Sequence, residues 1–262
     1  MSSVSTLAAV AHEMADAARA VILPYFRAPD LTADNKDATA FDPVTEADRA
    51  AEAAMRDVLA QTRPDDAIIG EEYGTIEGSS GLTWVLDPID GTRGFVSGTP
   101  TWGVLIAVGD TNGPKLGLID QPYIGERFIG FGGAAEMIGP HGGHAITTRA
   151  ARPLADAILF TTFPEIGTQA DRAAFARVAD QVQLTRYGMD CYAYALLAAG
   201  QIDLVIEAGL ANYDIQAPIA LIEAAGGIVT NWEGGPVHDG GRALAAANAD
   251  IHAAALKLLA DR

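Results

Sequence analysis

One stretch combines a buried-strand pattern, a turn and two carboxylates: Trp84-Val85-Leu86-Asp87-Pro88-Ile89-Asp90-Gly91-Thr92. The apolar run before Asp87 predicts a strand. We expect Pro88 to force an immediate turn, because its ring fixes φ and it cannot donate to a ladder. Asp90 follows three residues after Asp87, so this turn can bring both carboxylates to one side. Gly91 and Thr92 then open a predicted helix whose free N–H groups would face an anion such as phosphate.

The two carboxylates of this stretch suggest a metal site. Carboxylates held this close repel each other unless a cation or a proton lies between them. Oxygen ligands favour Mg²⁺, which binds few carboxylates and keeps several waters beside a substrate phosphate. The alternative is a turn in which Asp87 and Asp90 only cap a helix. The flanking strand and the Gly-Thr pair favour the metal site over that alternative.

Three further acidic positions each have a structural explanation of their own. Glu71 follows a short apolar run, a pattern typical of an exposed acidic turn. Asp214 precedes an apolar run that predicts a helix, so it could be the N-cap of that helix. Asp48 lies three residues after Thr45, a spacing typical of a capping box. Spacing alone does not place these side chains together in space.

The charge balance limits the classes of partner. The 262 residues include 34 Asp and Glu against 17 Lys and Arg, a formal net charge of -17. Such a surface repels nucleic acid and anionic membranes, and no basic run offsets it. A phosphate-bearing ligand would also be repelled, unless divalent cations invert the sign of charge at its site. We therefore expect a small-molecule ligand, no nucleic acid and no membrane.

Cysteine and histidine usage adds two expectations. The single cysteine, Cys191, excludes an internal disulfide, which fits a reducing compartment. The N-terminal segment carries Glu13 and Asp16 and no basic start, so we expect a cytoplasmic protein without a signal peptide. Residues 141–144 hold two histidines among glycines. Since the five histidines are scattered, we expect a loop there rather than a zinc site.

Hydrophobic periodicity predicts an antiparallel meander in the first half and alternating strands and helices after about residue 149. The predicted helices span 4–26, 45–59, 169–180, 191–199, 215–225 and 251–259. The predicted strands span 67–70, 82–86, 101–108, 115–120, 126–131, 157–161, 182–186, 204–207, 228–231 and 242–246. A mobile polar loop or a hairpin is expected at 28–43. No linker separates independent units, so we predict one domain, 1–262, with two lobes of about 1–150 and 151–262.

Four motifs together resemble the inositol-monophosphatase-like family of metal-dependent phosphatases. Residues 87–92 look like its first signature, and residues 70–72 look like its upstream metal-ligand motif. Residues 213–215, followed by the Ala-Gly-Gly at 225–227, are similar to its second signature. Residues 42–48 resemble its N-terminal motif. The resemblance implies an α+β fold, a layered αβαβα sandwich with an antiparallel-rich N-terminal half and a mixed α/β C-terminal half.

The resemblance implies two or three Mg²⁺ ions. Glu71, Asp87 and the carbonyl of Ile89 are expected to hold one ion. A second is expected among Asp87, Asp90 and Asp214. A third, weaker ion is expected near Glu71. Hydrolysis would then use a metal-activated water, with no covalent enzyme intermediate.

Further roles follow from the same resemblance. Asp48 and Thr92 match the pair that orients the attacking water, and with Glu71 they complete the expected catalytic residues. The amides of Gly91 and Thr92 are expected to meet the phosphate. Lys36 lies where the mobile loop of the family approaches the metals, and is equally consistent with a surface lysine. A homodimer is the expected assembly.

The stretches 91–95, 118–127 and 188–194 look most like the histidinol-phosphate phosphatase branch of this family. Asp190 stands where the inositol branch has small residues, and Glu207 matches a substrate-contacting glutamate. Both would complement the ammonium and imidazole of histidinol phosphate. We therefore expect hydrolysis of histidinol phosphate to histidinol and phosphate, a step of histidine biosynthesis.

Alternatives remain for these residues and for the function. Asp190 could instead be the N-cap of the helix from Cys191, and Arg186 could contact substrate or pair with an acidic neighbour. The alternative substrates are inositol 1-phosphate or a range of sugar phosphates. A sulfonucleotide phosphatase would need adenine contacts, for which no basic or aromatic cluster argues. A non-catalytic binding protein on the same fold is a different class, against which the complete set of expected site residues argues.

Overall fold

The computed structural model describes residues 4–29, 34–35 and 43–260, which form seven α-helices and fifteen strands. The helices are α1 Val4–Ile22, α2 Glu46–Thr62, α3 Thr92–Ser97, α4 Gln169–Ala179, α5 Cys191–Ala198, α6 Asn212–Ala224 and α7 Ala249–Ala260. The strands are β1 Asp34–Asn35, β2 Pro43–Val44, β3 Ala67–Gly70, β4 Gly74–Ile76, β5 Thr83–Asp90, β6 Gly103–Asp110, β7 Gly113–Gln121, β8 Glu126–Phe131, β9 Ala134–Gly139, β10 Gly142–Ala145, β11 Ile158–Thr161, β12 Leu184–Tyr187, β13 Leu204–Leu210, β14 Ile228–Asn231 and β15 Gly241–Ala246. Lys36 and most of the predicted polar loop lie outside the described residues.

Two large sheets carry the fold, and β1 and β2 form a separate antiparallel pair. The eight-stranded sheet has the order β10-β9-β8-β7-β6-β5-β3-β4 and is antiparallel except between β3 and β5. The five-stranded sheet has the order β12-β11-β13-β15-β14. There β11 runs parallel to β12 and β13, whereas β15 runs antiparallel to β13 and β14. The predicted antiparallel-rich first half and mixed second half are confirmed.

Helices and sheets alternate in five layers. Helices α1 and α2 cover one face of the eight-stranded sheet, and α5 and α6 lie between the two sheets. Helices α4 and α7 cover the outer face of the five-stranded sheet. The αβαβα sandwich is therefore confirmed, with one apolar core in each of the three spaces that contain helices.

The central strands are apolar on both faces because both faces are covered. In β5, Trp84 and Leu86 belong to the core under α1 and α2, whereas Val85 belongs to the core under α5 and α6. This division follows the two-residue period of a strand. Strand β6 shows the same alternation, with Val104 and Leu105 in opposite cores. Continuous apolar runs in the sequence thus correspond to strands buried on both sides.

Three predicted features differ from the structure. Helix α1 ends at Ile22 rather than near residue 26, because Pro24 has no N–H to continue the helical hydrogen bonds. Pro88 does not end its strand: β5 continues to Asp90, with a register irregularity after Asp87. The ladder skips Pro88 there, since the register passes from Asp87 directly to Asp90. Helix α6 begins at Asn212 rather than residue 215.

Strands β9 and β10 form an exposed hairpin that the sequence did not predict. The expected loop at 141–144 is wrong for residues 142–144, which belong to β10. All four residues of β10 are exposed, so no apolar alternation indicated a strand. Strand β4 was missed for the same reason, since its three residues are exposed.

Candidate active site

Strand pairing places Glu71 beside Asp87. Strands β3 and β5 run parallel with Gly70 opposite Leu86, so the residues that follow them lie side by side. The N–H of Glu71 donates to the carbonyl of Leu86 at 3.2 Å, which fixes the start of the turn. The parallel pairing of two strands therefore brings together two carboxylates that are distant in the sequence.

A buried glutamate on α2 holds the turn after Glu71. Both oxygens of Glu52 accept main-chain N–H groups, Oε2 from Glu72 at 2.6 Å and Oε1 from Tyr73 at 3.2 Å. A Cβ on Gly70 would lie 2.0 Å from Glu52 Oε1, so a larger residue there would displace Glu52 from these hydrogen bonds. Sequence reasoning missed Glu52. Its signal was a charged residue on the apolar face of α2, next to Ala51.

The register irregularity in β5 lies between Asp87 and Asp90, the last residue of the strand. Asp87 Oδ1 accepts the N–H of Ile89 at 3.1 Å. Asp90 Oδ2 accepts the N–H of Cys191 at 2.5 Å, which ties the first half of the chain to the start of α5. The main-chain N–H of Cys191 thus binds a carboxylate that is 101 residues away in the sequence.

Asp214 arrives from the opposite side, in the first turn of α6. Its Oδ2 accepts the N–H of Ala211 at 2.6 Å, so it caps the helix from inside rather than as the N-cap residue, which is Ala211. Ligand oxygens of Asp87, Asp90 and Asp214 all lie within 4.8 Å of one another. Asp214 therefore caps α6 and also contributes an oxygen to this cluster of carboxylates.

Burial and mutual repulsion dominate the electrostatics of this cluster. Burial raises the pKa of Asp87 well above its ordinary value, and the charges of Glu71, Asp90 and Asp214 raise it further. The pKa of Asp90 is also raised, first by burial and then by Asp190 and Asp214. Each carboxylate is thus costly to ionise without a compensating cation. Their oxygens are the ligands that Mg²⁺ prefers.

Asp48 serves two elements at once. Its Oδ2 accepts the N–H of Thr45 at 2.8 Å, while Thr45 Oγ1 accepts the N–H of Ala47, so the predicted capping box is confirmed. Its Oδ1 faces Thr92, whose hydroxyl lies 3.4 Å away. The same hydroxyl lies 3.0 Å from the carbonyl of Ile89. Thr92 can donate to only one of these acceptors at a time, which leaves the other to accept from another donor.

Gly91 allows Asp190 to approach the turn between β5 and α3. Gly91 has φ 85°, and a Cβ there would lie 2.9 Å from Cβ and Cγ of Asp190. Asp190 is itself strained, with φ 47°. It is the N-cap residue of α5, yet its side chain does not cap the helix and instead lies 3.5 Å from Thr101 Oγ1. Burial raises the pKa of Asp190 to about 6.

Glu207 is buried on β13 and holds the segment after β11. Its Oε1 accepts the N–H of Thr162 at 2.6 Å and the Thr162 hydroxyl at 2.9 Å. Burial raises the pKa of Glu207 to about 7, an effect that these hydrogen bonds only partly offset. Glu207 and Asp190 thus bring two further carboxyl groups to the same cavity.

These elements enclose a cavity of about 310 Å³. It is lined by nine of the predicted site residues: Glu71, Asp87, Ile89, Asp90, Gly91, Thr92, Asp190, Glu207 and Asp214. Asp48 lies behind Thr92. Arg186 is exposed on β12, opposite Phe160, and is not among the described residues that line the cavity. Arg93 and Phe163 also line it, although sequence reasoning gave them no role.

A family model described as the inositol monophosphatase family matches residues 3–262. The chain belongs to the inositol monophosphatase family. Members of this family are phosphatases of small phosphate monoesters and generally depend on Mg²⁺. Among the described residues, no helix is both long enough and apolar enough to cross a bilayer.

Three family relatives are informative. The chain is 44% identical to bifunctional phosphatase IMPL2, chloroplastic, of Arabidopsis thaliana, over 96% of this chain and 74% of that protein. It is 34% identical to the histidinol-phosphatase of Streptomyces coelicolor, over 93% and 92% of the two chains. A solved structure of an inositol monophosphatase from Zymomonas mobilis superposes with a TM-score of 0.87, at 38% identity and 99% coverage of both chains.

Proposed function

We propose that this protein hydrolyses histidinol phosphate to histidinol and phosphate, with Mg²⁺ as cofactor. One observation carries the proposal. A cavity lined by Asp87, Asp90 and Asp214, whose oxygens converge, is also lined by two further carboxyl groups, the half-buried Asp190 and the buried Glu207. The first group suits metal and phosphate, and the second suits a cationic leaving group.

The side chains present fit Mg²⁺. The donors are oxygen atoms, and burial together with like charge makes a cation the natural compensation for Asp87 and Asp90. Glu71, Asp87, Asp90, Asp214 and the carbonyl of Ile89 would hold two or three ions. When bound, the ions supply positive charge for the phosphoryl oxygens and lower the pKa of a water.

The other residues of the site orient the reactants. Thr92 Oγ1 can donate its O–H to Asp48 Oδ1, 3.4 Å away, and accept a hydrogen bond from an attacking water, which orients that water. The N–H groups of Gly91 and Thr92 lie at the start of α3 beside the cavity and would donate to phosphoryl oxygens. Restricting the water and the phosphate in this way lowers the entropic cost of reaction.

The identity of the leaving group is argued from charge. Histidinol carries an ammonium and an imidazole, both of which donate to carboxylates. Asp190 and Glu207 therefore complement it, whereas a polyol would be served better by neutral donors and acceptors. The histidinol-phosphatase relative supports this substrate. Inositol 1-phosphate is the second candidate, because the Zymomonas mobilis relative with 38% identity is an inositol monophosphatase.

A substrate panel tests the proposal. Phosphate release from histidinol phosphate, inositol 1-phosphate and glycerol phosphate is measured with Mg²⁺ and with EDTA. We expect Mg²⁺-dependent turnover with the highest kcat/KM for histidinol phosphate. A higher kcat/KM for inositol 1-phosphate would replace the proposed substrate with the second candidate. Absence of turnover on every ester with Mg²⁺ would support the non-catalytic binding protein.

The compartment and the assembly stay predictions. We propose a cytoplasmic homodimer, although the Arabidopsis relative is described as chloroplastic. Fractionation of the source cells and light scattering of the purified protein test these two statements separately.

A further inference from the structure

Phe163 is an exposed aromatic residue at the cavity, just after β11. Its side chain is 42% exposed, and it lines the same cavity as Asp190 and Glu207. Single exposed aromatic residues are common on protein surfaces and need no function. Two further observations set this one apart: the rigidity of its backbone and the charge stacked on its ring.

The backbone next to Phe163 is held from two sides. Thr162 donates its N–H and its hydroxyl to buried Glu207, at 2.6 and 2.9 Å. The carbonyl of Thr162 accepts the N–H of Gly188 at 3.0 Å, two residues before Asp190. Phe163 is therefore linked through Thr162 to Glu207, and through Thr162 and Gly188 to the segment that precedes Asp190. An aromatic ring presented on such a fixed backbone loses little conformational entropy when it binds a ligand.

A cation already lies against the ring. The guanidinium carbon of Arg93 is 4.8 Å from the ring centroid of Phe163, within the range of a cation–π contact. Arg93 also lies near Asp190, where burial raises the pKa and the charge of Arg93 offsets part of that rise. Arg93 occupies one face of the ring, so a ligand in the cavity meets Phe163 through its edge or its other face. The ring can thus form an aromatic wall of the leaving-group pocket.

We propose that Phe163 contacts the leaving group directly, and that the site consequently selects phosphate esters that carry a flat heteroaromatic ring beside an ammonium group. This inference rests on the proposed function and assigns a part of the substrate to each group. Asp190 and Glu207 accept hydrogen bonds from the N–H groups of the leaving group, while Phe163 packs against its heteroaromatic ring. A planar ring gains from an aromatic contact that an aliphatic group of similar size cannot match.

Two amino-alcohol phosphates separate the ring from the ammonium. Histidinol phosphate and leucinol phosphate share the ammonium and the phosphate, but only the former has an aromatic ring. For Phe163→Leu we expect kcat/KM to fall about three- to tenfold on histidinol phosphate and to stay within about twofold on leucinol phosphate. Phe163→Trp is expected to retain the preference for histidinol phosphate, because it restores an aromatic face.

A matched control is available at Tyr123, whose ring stacks on Arg27 at 4.6 Å outside the residues that line the cavity. Tyr123→Leu should leave kcat/KM unchanged on both substrates. Circular dichroism checks that each variant is folded. Equal losses on both substrates, or no loss on either, would overturn the role of Phe163. Failure of the proposed function is read separately, from the wild-type enzyme: if it does not hydrolyse histidinol phosphate, both ideas fall.

Discussion

The eight-stranded sheet contains two buried aspartates whose surroundings carry opposite charge: one lies among guanidinium groups and the other among carboxylates. On β7, the fully buried carboxylate of Asp120 accepts from Arg19 Nη2 at 2.7 Å and from Arg127 Nε at 2.7 Å. On β5, buried Asp87 is surrounded by other carboxylates that raise its pKa. The first site neutralises its charge within the protein and ties α1 to the sheet. The second concentrates negative charge, which suits an external cation.

The charges around a buried carboxylate distinguish a structural acid from a functional one better than its burial does. Asp120 and Asp87 are both buried in central strands, so burial alone would rank them equally. Their neighbours distinguish them. A buried carboxylate with two guanidinium partners stabilises the fold when intact, whereas crowded carboxylates destabilise the metal-free fold in exchange for binding. Removing charge from the two sites should therefore have opposite effects on stability.

The largest effect is expected from Asp90→Asn. Turnover should fall by about a thousandfold or more, because a proposed metal ligand is weakened while the fold is kept. In EDTA the variant should melt at a higher temperature than wild type, since one of the repelling charges is gone. Added Mg²⁺ should raise its Tm less than it raises that of wild type. Asp180→Asn, at an exposed position, is the control. Normal turnover at ordinary Mg²⁺ would contradict the metal assignment.

Asp120→Asn should act in the opposite direction. The substitution removes the buried carboxylate that Arg19 and Arg127 share, leaves Arg127 with its exposed partner Asp16, and should lower the free energy of unfolding by about 3 kcal/mol. For a chain of this size, that corresponds to a fall in Tm of roughly 6–12 °C. Asp16→Asn is a matched control, because Asp16 pairs with the same Arg127 but is 70% exposed. Its effect should stay below about 1 kcal/mol. Equal losses for the two variants would remove the distinction drawn for Asp120.

Glu207 is expected to make the free energy of unfolding depend on pH. Its folded pKa is about 7 against 4.5 in an exposed chain. The folded state therefore binds more protons between these values, and the free energy of unfolding falls as pH rises through this window. Glu207→Gln removes that slope, so in EDTA it should stabilise the protein at about pH 8 relative to about pH 5, by up to about 3 kcal/mol.

Thermal melts of wild type and Glu207→Gln at both pH values measure this difference. Glutamine can still accept the Thr162 N–H through its amide oxygen, so the anchor of that segment is kept. The exposed Glu165→Gln serves as the control for the chemical change itself. A stability difference that does not vary with pH would contradict a raised pKa at Glu207.

The smallest effect is expected at Asp190. Asp190→Ala should raise KM for histidinol phosphate by about tenfold, because the substrate loses one charge-assisted hydrogen bond. A neutral monoester such as glycerol phosphate should be affected less. Asp190→Asn keeps the shape of the side chain and tests the charge alone. Equal changes in KM for both esters would exclude Asp190 from recognition of the leaving group.

Local pattern predicted most of the secondary structure and failed where burial was absent. The central strands were found because they are apolar on both faces. Strands β4 and β10 were missed because all of their residues are exposed and carry no alternation. Pro88 was misplaced in a turn, because local rules do not show that a register irregularity can absorb a missing N–H within a strand. Local chemistry therefore predicts elements well only where one face is buried.

The sequence by itself determined which groups could bind metal and phosphate, since Asp87, Asp90 and the Gly-Thr pair lie close together in one strand and turn. The tertiary structure decided which other groups join them. Glu71 reaches Asp87 only through parallel pairing, and Asp190 reaches Gly91 only through the packing of α5. Contacts between residues a hundred positions apart depend on how the sheets and helices stack. No local preference of the chain encodes that arrangement, because it results from burying three apolar cores at once.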